Sequence, residues 1–101
     1  MPLIPAIDVR SAIAYNYDGL SFQEELNYTA AIRQYKNALD ILALCKDNYA
    51  EVTDTYILVY TNLANIYGNI ERFDSAHFYL EKLKKITPKN AQADLADYYQ
   101  H

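Results

Sequence analysis

Apolar residues recur three and four positions apart along most of the chain, and nowhere do they alternate long enough to mark a strand. Between about 50 and 70 they fall at Val52, Tyr56, Val59, Tyr60, Leu63, Ile66, Tyr67 and Ile70, which is helical spacing. The run breaks across residues 69–72 and restarts at Phe73, where Phe73, Ala76, Leu80 and Leu83 form the stripe of a second helix that Pro88 stops. Upstream, Ala31, Tyr35, Ala38, Leu39 and Leu42 mark another amphipathic helix, preceded by a less regular one from about Ile7 to Glu25. A short last helix, about Ala91 to Tyr99, carries Leu95 and Tyr98 or Tyr99 toward its neighbour. Glycine occurs only at 19 and 68 and proline only at 2, 5 and 88, so few breakers interrupt this pattern. The expectation is an all-α chain of five helices.

The same two-helix plan occurs twice. Placing Ala31 on Ala76 brings Tyr28 onto Phe73, Tyr35 onto Leu80 and Ala38 onto Leu83. Here the chain resembles the tetratricopeptide repeat, a helix-turn-helix unit of about 34 residues. The window from Ile57 to Asn90 has that length, with Tyr60, Leu63, Ala64, Tyr67, Phe73, Ala76, Leu80, Leu83 and Pro88 at the signature places. The first unit, about 12–45, matches at Tyr15, Gly19, Phe22, Tyr28, Ala31, Tyr35 and Ala38. It departs where Asp18 replaces the usual leucine, and no proline closes its second helix. Because Ala31 and Ala76 stand 45 residues apart, about 11 extra residues near Lys46 to Tyr56 read as added turns on the helices flanking residues 46–48.

The resemblance implies a fold of antiparallel helix-turn-helix pairs stacked as a short right-handed α-solenoid. Residues 1–101 then form one domain, with units at about 12–45 and 57–90 and a terminal helix at about 91–100. It also implies that Ala64 and Ala76 are small because two helices cross there, with Tyr60, Leu63, Tyr67, Phe73 and Leu80 around the crossing. In this family the first helix of each unit lines a groove for an extended peptide or partner helix. The corresponding places are Ile13, Asn16, Tyr17, Leu20 and Glu24, then Leu58, Thr61, Asn62, Asn65 and Asn69, with Gln92, Leu95 and Tyr99 from the final helix. An asparagine amide both donates and accepts, so Asn16, Asn62 and Asn65 suit the backbone of a bound peptide, and Tyr17 suits an apolar side chain. Some members hold a terminal carboxylate with a set of lysine, asparagine and arginine residues; only Asn62 matches that set, Leu20 stands where a second asparagine belongs and Gln92 and Ala96 where cations belong, so capture of an acidic C-terminus is not expected. Elongated, tyrosine-rich repeats of this kind are similar to those in bacterial regulators that join helical arrays to DNA-binding or kinase domains.

Composition narrows the picture further. The hydrophobic fraction is 51% and the charged fraction 22%, ordinary for a globular protein, and no run of about 18 apolar residues could span a bilayer. The first residues lack a basic region followed by an apolar run, so they do not read as a secretory signal and the cytoplasm is the expected compartment. A net charge of −4 argues against nucleic acid, whose binders present basic faces. Lys82, Lys84, Lys85 and Lys89 cluster where they complement a helix C-terminus. The lone Cys45 reads as a small buried hydrophobe. Asp74 and His77 can share a helix face without a third ligand, adjacent Glu24 and Glu25 diverge, and the sequon at Asn27 lacks a secretory context. No enzyme, metal or cofactor chemistry is therefore expected. The functional expectation is a noncatalytic module for a protein or peptide ligand. Its rival is a structural repeat protein that self-associates through the solenoid ends.

Overall fold

The computed structural model describes residues 8–46 and 49–87. Within them the chain is all-helical: α1 (Val9–Glu24), α2 (Tyr28–Leu44), α3 (Tyr49–Asn69) and α4 (Phe73–Ile86). The final helix expected at about 91–100, with Gln92, Leu95 and Tyr99, lies outside the described residues. Helix α1 begins two residues later than the apolar pattern suggests. Asp8 caps it, its carboxylate accepting from the backbone N–H of Arg10 at 2.8 Å and of Ser11 at 3.3 Å. Asn27 does the same for α2 through Ala30. Helix α4 ends as expected, for Thr87 takes the extended conformation that a following proline imposes.

Packing is strongest within the sequential pairs α1/α2 and α3/α4, each joined by a tight turn, and α3 also packs on α2 and α1. The two turns are built alike at the 45-residue offset. In the first, Asn27 N–H donates to the Phe22 carbonyl at 2.9 Å and Leu26 N–H to Gln23 at 3.0 Å. In the second, Arg72 N–H donates to Tyr67 at 2.8 Å and Glu71 N–H to Gly68 at 3.1 Å. This is the paired bonding that closes a helix through one left-handed residue, usually glycine. Here Leu26 and Glu71 hold that place, both at φ 62°. A side chain in this conformation costs on the order of 1 kcal/mol. Glu71→Gly should therefore raise the urea midpoint, by roughly 0.5–1 kcal/mol of stability, whereas Glu71→Val should lower it.

One buried cluster runs through all four helices. Ala12, Ala31, Tyr35, Ala38, Val59, Leu63 and Ile66 are wholly buried there, and Ala64 and Ala76 nearly so. Each large side chain removed from water in this way contributes about 1.5–3 kcal/mol. Between α3 and α4, Tyr79 stacks parallel on Tyr67 at 5.9 Å and meets Tyr60 at a tilt at 5.9 Å, while Tyr60 in turn lies tilted against Tyr56 of its own helix at 5.4 Å. Two expectations need correction. Phe73 does not fill the crossing; it is 66% exposed, because it sits at the first position of α4 and projects past the end of the core. Cys45 is only half-buried, since it caps the C-terminus of α2 instead of lying within it.

The outer face of α1 explains why Asp18 is polar where its counterpart 45 positions on, Leu63, is apolar. Ala14, Asp18 and Ser21 are exposed, while the residues 45 positions on, Val59, Leu63 and Ile66, are fully buried against the first pair. Nothing in the described chain packs on that side of α1, so it carries small and polar residues.

Candidate functional site

The positions named from sequence fall on matching faces of α1 and α3, which pack side by side. The structure separates them into a seam and an open face. Asn16 was expected to meet a ligand, but it is only 4% exposed, and its Oδ1 accepts from Asn62 Nδ2 at 2.9 Å. The two amides meet because helical spacing turns each toward the other helix, so their bond ties the halves of the molecule together. Asn62 is half-buried as a result, not exposed. The half-buried Thr61 hydroxyl donates to the Ile57 carbonyl of its own helix at 2.6 Å.

What stays open includes two large apolar side chains. Tyr17 on α1 is 64% exposed and Leu58 on α3 is 54% exposed. Ile13, Leu20 and Asn65 are half-buried on the same face, and the side-chain amide of Asn65 makes no hydrogen bond among the described residues. Glu24 and Asn69 are exposed at the turn end of the same face. No cation stands among these places. Sequence spacing placed these residues on one side of α1 and α3 but could not show that two of the asparagines bond each other, because a contact across 46 residues leaves no local signature.

Asn62→Ala should cost about 1 kcal/mol of stability, since the Asn16 carbonyl loses its donor, although water can enter beside a half-buried position. Thermal melts of the variant would check this. Asn65→Ala should leave the melt unchanged, which makes it the cleaner probe of binding.

Other chemistry is weakly represented. Among the described residues no group of three His, Cys, Asp or Glu could hold a metal ion, and no helix is long and apolar enough to cross a membrane. His77 is exposed, 3.8 Å from Glu81 one turn on. Tyr35 is the most perturbed tyrosine. Burial pushes its phenol up to about 12, and the hydroxyl donates to Gln23 Oε1 at 2.6 Å. Comparison of the chain with known protein families, characterised proteins and solved structures finds no match.

Proposed function

We propose that this protein is a noncatalytic interaction module of the tetratricopeptide-repeat type, two elongated units stacked as a short right-handed α-solenoid whose α1–α3 face holds an extended peptide. The observation that carries the proposal is the pair Tyr17 and Leu58, large apolar side chains exposed on matching helix faces beside the unbonded amide of Asn65. An extended peptide laid across the seam would cover both and offer its backbone to Asn65. Glu24, with no cation near it on this face, favours a neutral or basic peptide over an acidic one. Such a module suits a scaffold or regulatory role in the cytoplasm, as in the bacterial regulators with similar repeats. End-to-end stacking of copies through α1 is disfavoured, because exposed Asp18 and Ser21 would be buried without partners.

Selection from a random-peptide display library tests the reading. The full chain should enrich extended sequences with apolar residues and few acids. The variant Tyr17→Ser/Leu58→Ser should lose at least about tenfold in affinity for them, since each buried apolar contact contributes more than 1 kcal/mol. Enrichment that survives this double change unaltered would place binding elsewhere.

A further inference from the structure

A second surface stands apart from that face. On the outer side of α4, Asp74, His77, Phe78, Glu81, Lys82 and Lys85 line one shallow open depression. Their spacing of three and four places them on a single face of the helix. Asp74 lies at the N-terminal end, Lys82 and Lys85 at the other, where Glu81 is already neutralised by Lys84 at 3.3 Å, and Phe78 between them is 52% exposed. Lys82 Nζ rests 5.1 Å from the Phe78 ring centroid, and neither Asp74 nor Lys85 has an ion-pair partner among the described residues. The helix macrodipole accounts for acid first and base last. It does not account for their sharing one face with a half-exposed phenylalanine.

A face that is acidic at one end and basic at the other complements itself when turned end over end. We propose that two copies of the chain pair through this face of α4, antiparallel about a two-fold axis passing near Phe78. In that arrangement Asp74 of each copy faces Lys82 and Lys85 of the other, His77 faces Glu81, and the two Phe78 rings cover one another. The contact is isologous, so it closes at a dimer and leaves the α1–α3 face of both copies open.

Sedimentation equilibrium of the full chain over rising concentration tests this independently of peptide binding. The mass should climb from the 11.6 kDa monomer toward twice that value, and less steeply in high salt, which screens the pairs. Lys82→Glu/Lys85→Glu should stay monomeric throughout, as its face becomes acidic along its length. Adding Asp74→Lys to that variant reverses both ends and should restore the dimer. All three positions are exposed, and equal circular dichroism would confirm that the fold is kept. A wild-type chain that remains monomeric at every concentration overturns the proposal. So does association that the double variant does not weaken, or that the triple variant fails to recover, because the contact then lies elsewhere or another occupant covers the face.

Discussion

Gly19→Ala should destabilise the protein while Gly68→Ala stabilises it, although both glycines lie inside helices of the same fold. Replacing a helix glycine by alanine ordinarily gains about 1 kcal/mol, because the unfolded chain loses freedom and the helix gains propensity. At Gly68 that gain stands alone, for an added Cβ meets nothing within 4 Å. At Gly19 the added carbon would stand 2.6 Å from Cδ1 of Tyr35 and closer still to Cε1. The ring cannot step aside easily, since it is fully buried and its hydroxyl is held by Gln23. Overpacking against a fixed ring costs up to about 3 kcal/mol, so the net loss should be about 2 kcal/mol. The second pair suggests the remedy, for Ala64 and Leu80 stand where Gly19 and Tyr35 stand in the first. Gly19→Ala/Tyr35→Leu should therefore be less destabilised than the sum of its single changes, as contacting residues couple. Urea melts of the four variants and the parent decide the matter, and strict additivity would mean that Gly19 and Tyr35 do not touch.

Alkaline pH should weaken the fold through the same ring. The Tyr35 phenol is raised from 10.0 to about 12 by burial, so between those values the folded chain keeps a proton that the unfolded chain releases. Stability from this group is thus full below pH 10 and is lost as pH rises toward 12. Tyr56, Tyr60 and Tyr79 are shifted upward too, mainly by burial, and add to the same trend. Urea midpoints measured from pH 8 to pH 11.5 should fall steeply above about pH 10. In Tyr35→Phe the fall should be shallower, and an identical slope in the two proteins would remove Tyr35 as its cause.

The helices were legible in the sequence because their apolar stripes repeat at short range, which is where periodicity speaks. Leu42, Leu63 and Ile66 belong to those stripes, and all three are buried. The 45-residue offset also emerged from aligned alanines, and it reappears in the matching bonds of the two turns. Three things were hidden. Leu26 and Glu71 adopt a glycine-like backbone that their identities conceal. Phe73 matches an apolar pattern yet faces water, because a helix's first residue has no turn before it to cover. Asn16 and Asn62 resemble ligand-binding amides at the level of residue type, and only the packing of α1 beside α3 shows that they satisfy each other.

In the proposed function a peptide lies on the open face of α1 and α3. Amide chemical-shift mapping of the isotope-labelled chain, titrated with a peptide selected from the display library, tests it most directly. The largest shifts should fall at Tyr17, Leu20, Leu58 and Asn65, with α4 residues 74–85 unmoved. Shifts concentrated on α4, with Tyr17 and Leu58 unchanged at saturation, would contradict it.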